Sequence, residues 1–266
     1  MTKLKQAVVQ GFTIEHMGKN EFELFWTHCF KSVKKWATSN DMDYHFFDKP
    51  IDPYDTSDLL NVSHEWRDAQ ARNATYYRWQ WVSSLSDQYD VVYWIDGDTY
   101  VWGNPPPPPT NKKQLNHFNC MQCQKVADIP HLSKGWNRPN LSIFWGSPEV
   151  LREINDWYLK VLFNPSERND LFITLKTLSE STKLVSDFTS EIALTAWIYE
   201  NSDRTMLHPY ICSLFPDVDT HWAYDSEAIL EMCRPDSFLH FGGSRKVRHW
   251  QKFLAYRAYL NQISNG

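Results

Sequence analysis

Along the N-terminal part of the chain, short apolar runs alternate with longer stretches of helical character. The runs at 6–12, 43–50 and 91–95 are rich in β-branched and aromatic residues, which predicts three strands. Residues 20–41 place apolar side chains at roughly helical spacing, and residues 63–88 are typical of a long helix. This β-α-β-α-β order predicts an α/β fold with a mostly parallel central sheet, flanked by helices and joined by right-handed crossovers.

The C-terminal half continues with a strand and an amphipathic helix over 140–164, a helix over 186–201 and a strand over 208–216. A short strand, a glycine turn and a final helix complete the predicted order. Five consecutive prolines, Pro105–Pro109, predict a stiff extended segment, which is either a rigid surface connector or a docking motif for a partner. The sequence contains no internal repeat and no linker composition, so we predict a single domain over residues 1–266.

Composition and charge narrow the classes of function. The chain has 266 residues, of which 42% are hydrophobic and 22% charged, so one sizeable core is expected. Its 13 Trp, 13 Tyr and 15 Phe suit the apolar faces of sugars and the planes of bases, although core filling also accounts for aromatic residues. The net charge of −5 argues against a nucleic-acid binder. No apolar stretch approaches the roughly 18 residues of a membrane span. Five cysteines without a disulfide pattern predict reduced thiols and a cytoplasmic location.

Two carboxylates follow the most apolar of the predicted strands. Asp96 and Asp98 come directly after residues 91–95, and Gly97 between them leaves room for a close backbone approach. Because residues i and i+2 of an extended chain point the same way, both carboxylates are expected on one side. Paired carboxylates are hard oxygen ligands for Mg²⁺ or Mn²⁺, and such ions commonly carry a diphosphate. The pair therefore predicts a metal site at the carboxyl edge of the sheet.

A second motif lies late in the chain, in residues 238–250 (FLHFGGSRKVRHW). His240, Gly243 and Lys246 have the spacing H-x-x-G-x-x-K. A neutral imidazole can complete the coordination of a metal held by carboxylates, while a glycine and a lysine suit contacts with phosphate oxygens. Taken alone, the segment is more typical of a glycine turn that opens a basic helix, with His240 as an ordinary half-buried histidine. Together with the two aspartates, it favours a site for a metal and a diphosphate.

The chain resembles the nucleotide-sugar-dependent glycosyltransferases of the GT-A fold. Within that fold it is most similar to the retaining family 8 type, whose members include glycogenin and bacterial lipopolysaccharide galactosyltransferases. The resemblance rests on two motifs, YWIDGDTYV and HFGGSRKVRHW, each at the expected place in the chain. It implies a UDP-sugar as donor substrate and Mn²⁺ (or Mg²⁺) as cofactor. Residues 1–104 would form the nucleotide-sugar-binding half, and residues 105–266 the acceptor-binding half with the late motif.

The resemblance also implies roles for individual residues. Asp96, Asp98 and His240 would hold the metal, and Lys246 would contact the diphosphate of the sugar donor. In this fold the nucleotide base usually lies at the carboxyl end of the first strand, which here is Gln10, Gly11 and Phe12. Arg78, in the helix predicted over 63–88, could pair with the donor phosphate or ribose, or it could simply lie on the surface. The complete set of predicted sugar-donor contacts is Gln10, Gly11, Phe12, Arg78, Asp96, Gly97, Gly243 and Lys246.

The helix over 186–201 supplies the candidate catalytic carboxylates. Glu191 occupies the place of a glutamine in the family motif and could act as nucleophile, as stabiliser of an oxocarbenium-like transition state, or as general base in an inverting transfer. Asp187, one helical turn earlier, competes for these roles. Both could equally be acids that stabilise a helix N-terminus without any chemistry. Trp136, Asn140 and Trp222 are predicted to line the acceptor site, on the logic of sugar stacking.

Two other classes of function remain open at this point. The stretch IDGDTYV also resembles the D-x-D nucleophile motif of haloacid dehalogenase-type phosphatases, but that motif normally follows the first strand of the core. A non-catalytic carbohydrate-binding protein would use the aromatic residues alone and would not need the two carboxylates. We therefore predict an enzyme that binds a nucleotide sugar and a carbohydrate or glycoconjugate acceptor, with retention favoured by the H-x-x-G-x-x-K motif.

Overall fold

The structure is a computed structural model, and it describes most of the predicted elements. The described residues are 3–11, 25–51, 69–85, 87–108, 115–122, 139–164, 189–208, 211–213 and 236–241, with single positions elsewhere, several of them between 250 and 262. All structural statements below refer to these residues.

Nine strands and four α-helices make up the described fold. The strands are β1 (Gln6–Gly11), β2 (Asp43–Phe47), β3 (Val91–Ile95), β4 (Thr99–Trp102), β5 (Phe118–Gln122), β6 (Pro139–Gly146), β7 (Thr205–His208), β8 (Ile211–Ser213) and β9 (Ser237–His240). The helices are α1 (Lys31–Ser39), which continues a π-helical segment at Phe25–Phe30, α2 (Ala69–Ser84), α3 (Pro148–Phe163) and α4 (Thr189–Glu200). A short 3-10 turn, Ser202–Arg204, follows α4.

Six strands form the central sheet, in the order β2-β1-β3-β6-β5-β7. β6 is antiparallel to both of its neighbours, whereas the pairs β1–β2, β1–β3 and β5–β7 are parallel. The carboxyl ends of every strand except β6 therefore lie at the same edge. The predicted fold class, a mostly parallel α/β sheet flanked by helices, is confirmed.

Both faces of the central sheet are buried, which explains the uninterrupted apolar run of β3. Val92 and Trp94 belong to the cluster that includes residues of α2, α3 and α4. Tyr93 and Ile95 point the other way, into the cluster that contains α1 residues and Phe238 of β9. A strand covered on both faces has no solvated side, so its sequence shows no alternation of polar and apolar residues.

The other three strands form a second sheet, in the order β4-β9-β8. The sequence predicted one strand over 208–216, and the structure places β8 within it, at Ile211–Ser213, whereas His208 is the last residue of β7 and belongs to the other sheet. Pro209 and Tyr210 separate them in the sequence, and a proline has no N–H for a sheet ladder. The antiparallel pairing of β4 with β9 matters most for the site, since it sets Thr99 opposite His240.

The proline run packs against the body of the protein. The indole Nε1 of Trp36 in α1 donates a hydrogen bond of 2.8 Å to the carbonyl of Pro105. Pro105 and Pro108 are buried, while Pro106 is exposed. These contacts favour the rigid connector over the docking motif. No helix in the described ranges is long and apolar enough to cross a membrane.

Candidate active site

The two aspartates lie in a tight turn between β3 and β4, and backbone hydrogen bonds fix this turn to both sheets. The N–H of Asp96 donates to the carbonyl of Ser142 in β6 (2.7 Å), and the N–H of Thr99 donates back to the carbonyl of Asp96 (3.0 Å). The N–H of Phe241, just after β9, donates to the carbonyl of Asp98 (3.0 Å). The Asp96-Gly97-Asp98 backbone is thus held from the central sheet on one side and from the late motif on the other.

His240 completes a cluster with the two carboxylates. Its Nε2 lies 3.1 Å from Oδ1 of Asp98 and 3.7 Å from Oδ2 of Asp96. One ligand atom from each of the three side chains lies within 4.8 Å of the others. Two carboxylate oxygens and an imidazole nitrogen form a donor set that suits Mn²⁺, and the hard oxygen ligands also accept Mg²⁺. The structure therefore brings together all three residues predicted as metal ligands.

The electrostatics of the cluster also favour a bound cation. Burial raises the pKa of Asp96, and the positive charge of Arg78 lowers it; Asp98 raises the pKa further, while His240 and the hydrogen bond from Trp94 lower it. Asp98 itself is only 7% exposed. Two close carboxylates with little water around them are unfavourable in their ionised forms unless a positive charge balances them. A divalent ion between Asp96, Asp98 and His240 would supply that charge.

Arg78 of α2 lies behind Asp96. Its guanidinium Nη1 is 3.8 Å from Oδ1 of Asp96, and the residue is only 5% exposed. The alternative that Arg78 is a surface arginine is therefore wrong. Burial lowers the pKa of Arg78 and the charge of Asp96 raises it, but a guanidinium stays protonated in such surroundings.

Trp94 is a site residue that the sequence did not reveal. It occupies β3, two positions before Asp96, and its indole Nε1 donates a hydrogen bond of 2.6 Å to Oδ1 of Asp96. Arg78 approaches the same oxygen, so Oδ2 is the oxygen that faces His240. The available signal was the i, i+2 spacing, which places both side chains on one side of the chain. We interpret Trp94 as a positioning residue for the Asp96 carboxylate.

Replacing Trp94 with phenylalanine is expected to weaken Mn²⁺ binding by about 10–100-fold, the usual effect of removing a group that orients a metal ligand. The ring would stay in the core, but Oδ1 of Asp96 would lose its hydrogen-bond donor. The affinity can be measured from the EPR signal of free Mn²⁺ during titration.

The matched control is Trp145→Phe. Trp145 is equally buried, in the neighbouring strand β6, and its Nε1 has no hydrogen-bond partner in the part of the chain that the structure describes. The Trp145→Phe variant should bind Mn²⁺ with the same affinity as the wild type. Equal losses in both variants would mean that core packing, rather than the hydrogen bond to Asp96, controls the site.

Gln10 and Gly11, at the end of β1, lie beside this turn and are tightly packed. Gln10 is fully buried; its Nε2 donates to the carbonyl of Asp96 (3.1 Å), and its Oε1 accepts a hydrogen bond from the hydroxyl of Tyr44 (3.0 Å). The ring of Trp81 occupies the space that a Cβ at Gly11 would need. Gln10 therefore helps to hold the backbone of the turn that carries the metal cluster, and the predicted contacts of Gln10 and Gly11 with the sugar donor stay predictions.

Gly97 lies in the turn itself, and a Cβ at this position would come within 3.1 Å of the ring of Phe30. The other predicted residues are described only in part or not at all. Glu191 lies in the first turn of α4 and Asn140 near the start of β6, but their side chains are not described. The remaining predicted residues fall outside the described ranges, and their roles stay predictions: Phe12, Trp136, Asp187, Trp222, Gly243 and Lys246.

Comparison with known proteins gives structural matches only. No protein-family model matches the sequence, and no curated protein matches it significantly. Among solved structures, the chain is similar to a glycosyltransferase involved in the glycosylation of the major capsid of PBCV-1, with a TM-score of 0.52 and 13% identity over 94% of this chain and 99% of that one. It also matches the galactosyltransferase LgtC in complex with donor and acceptor sugar analogues, with a TM-score of 0.49 and 12% identity over 89% of this chain and 87% of that one. At such identity the first match shows the fold alone, and this agrees with the predicted GT-A architecture.

Proposed function

We propose that this chain is a metal-dependent glycosyltransferase that moves a hexose from a UDP-sugar to a hydroxyl group of a glycan or another acceptor, with retention of configuration. The observation that carries the proposal is the cluster of Asp96, Asp98 and His240 at the carboxyl edge of the sheet, where ligands bind in open α/β folds. The similarity in fold to a known glycosyltransferase supports the same class of reaction.

In this proposal Asp96, Asp98 and His240 hold Mn²⁺ or Mg²⁺, and the ion would supply the positive charge that a departing nucleoside diphosphate requires. Trp94 and Arg78 act on Asp96: the indole fixes one carboxylate oxygen, and the guanidinium balances the charge of the buried cluster. Lys246 and Gly243 would contact the diphosphate. Glu191 or Asp187 would face the reacting sugar, and Trp136, Asn140 and Trp222 would bind the acceptor.

The phosphatase alternative has less support. A phosphorylated aspartate would be expected after the first core strand, whereas Asp96 follows β3, which comes after two other strands among the described residues. The cluster also contains His240, where the phosphatase motif calls for a further acidic pair. A purely carbohydrate-binding protein would not need a buried pair of carboxylates at the sheet edge.

Calorimetric titration of UDP into the protein tests the proposal, with Mn²⁺ and without it. We expect micromolar or tighter binding that requires the metal, followed by slow hydrolysis of a UDP-hexose in a screen of sugars. Absence of UDP binding under either condition would contradict the UDP-sugar assignment. Hydrolysis of a generic aryl phosphate in the same sample would favour the phosphatase.

A further inference from the structure

A large aromatic side chain is exposed next to the candidate site. Trp26 lies in the π-helical segment that precedes α1, and it is 43% exposed. The chain offers one other exposed large aromatic within the described ranges, Tyr199, which lies at the end of α4. A single exposed aromatic residue is ordinary on a protein surface, so its significance depends on where it lies; beside a metal cluster, a flat aromatic ring is suited to a ligand that stacks.

The contacts of Trp26 connect it with the Asp96-Gly97-Asp98 turn. Its ring centroid is 5.4 Å from that of Phe30 and 4.9 Å from that of Phe46, with both pairs of rings nearly perpendicular. Phe30 in turn reaches within 3.1 Å of the position that a Cβ at Gly97 would take. One phenyl ring therefore separates Trp26 from the turn that carries the two metal-binding carboxylates.

Trp26 also lies at the correct edge of the sheet. Phe46 is in β2, near its carboxyl end, and pairs with Gln10 of β1. Trp26, Phe46 and the turn at Gly97 thus share the edge at which β1, β2 and β3 end. A ligand with its diphosphate on the metal cluster could extend across Phe30 and reach the indole with its other end.

Among the described residues at the end of β1, Gln10 and Gly11 leave little for a base to bind. Both ends of the Gln10 amide are already hydrogen-bonded within the protein, and Trp81 fills the space beside Gly11. A base at this edge needs a flat apolar surface on which to stack, and neither Gln10 nor Gly11 presents one. Near the turn, the exposed ring of Trp26 supplies it.

We infer that Trp26 is the platform on which the base of the donor nucleotide stacks, an inference that rests on the proposed function. The diphosphate lies at Asp96, Asp98 and His240, the ribose passes over Phe30 and Gly97, and the base lies on the indole. Stacking uses the π-face that every base has, so Trp26 contributes affinity for the nucleotide and little selectivity between bases.

Calorimetry in the presence of Mn²⁺ tests this inference with two separate probes, UDP and inorganic pyrophosphate. Trp26→Ala should weaken UDP binding about tenfold or more, since a stacked base contributes about 1–3 kcal/mol, while pyrophosphate binding stays unchanged. Trp26→Phe should retain most of the affinity, and ADP should lose affinity in Trp26→Ala as UDP does. The control Tyr199→Ala removes another exposed aromatic ring, at the end of α4, and should change neither affinity.

Ligand-observed saturation-transfer NMR gives an independent readout. In the wild type the uracil protons of UDP should receive the strongest saturation, and in Trp26→Ala this preference over the ribose protons should disappear. UDP affinity and uracil saturation that stay unchanged in Trp26→Ala would overturn the inference while leaving the proposed function intact. Equal losses for UDP and pyrophosphate would also overturn it, because they would show a structural role. If the wild type binds pyrophosphate with Mn²⁺ but no nucleotide, both the inference and the proposed sugar-nucleotide donor fail.

Discussion

Asp98→Ala is expected to lower the affinity for Mn²⁺ by more than about 100-fold and to abolish metal-dependent binding of UDP. Replacing groups that merely orient a metal ligand already costs about 10–100-fold, so the loss of a charged ligand should cost more. Asp98 is only 7% exposed, and its Oδ1 lies 3.1 Å from Nε2 of His240. Water cannot easily replace a carboxylate in so closed a position. Titration of Mn²⁺ followed by EPR, and of UDP by calorimetry, gives both affinities.

The contribution of the negative charge of Asp98 can be measured with one further variant and a control at a surface aspartate. Asp98→Asn keeps an oxygen ligand but removes the negative charge, and it should bind Mn²⁺ more weakly than the wild type and more tightly than Asp98→Ala. Asp87→Ala is the matched control, because its side chain is 87% exposed in a surface ion pair with Arg152. The Asp87→Ala variant should bind Mn²⁺ with the same affinity as the wild type. An Asp98→Ala protein that binds Mn²⁺ within about threefold of the wild type would remove Asp98 from the metal site.

The sequence was sufficient for those parts of the fold and site that depend on neighbouring residues. The strand at 91–95 and the aspartates after it are local features: an apolar run covered on both faces, followed by two side chains at i, i+2 spacing. The parallel order of β1, β2 and β3 follows from the alternation of strands and helices. His240 is far from the aspartates in the sequence, and its place was predicted through a motif rather than through geometry.

The remaining features depend on contacts between distant segments. The pairing of Thr99 with His240 exists because β4 and β9 form a second sheet, and nothing in either short strand specifies its partner. The apolar run at 91–95 predicts that Trp94 is a core residue, and it does not show that the indole N–H of Trp94 reaches a carboxylate. Trp26 falls within the helical stretch predicted over 20–41, and its contact with Phe46 depends on how the π-helical segment packs against β2.

Gly11→Ala is the substitution in the fold with the largest expected effect, a loss of about 3 kcal/mol in the free energy of unfolding, the upper end of the usual cost of overpacking. A Cβ at Gly11 would overlap the six-membered ring of Trp81. This ring cannot move easily: Trp81 is fully buried, its Nε1 donates to the carbonyl of Lys49 (2.8 Å), and it stacks against Phe47 and Trp94. Urea denaturation followed by circular dichroism would measure the loss.

A double-mutant cycle identifies the cause of that loss. Trp81→Phe removes the outer ring atoms that a methyl at Gly11 would meet, so the double variant Gly11→Ala/Trp81→Phe should be more stable than the sum of the single effects predicts, by about 1 kcal/mol or more. Gly146→Ala is the control at the end of another strand: its Cβ would lie 3.4 Å from the carbonyl of His117 and 3.7 Å from Leu151, which is ordinary contact, so stability should change by less than about 1 kcal/mol. Strict additivity in the cycle would show that Gly11 is required for another reason than the ring of Trp81. A positive coupling would establish that the ring of Trp81 is the reason why the end of β1 requires a glycine.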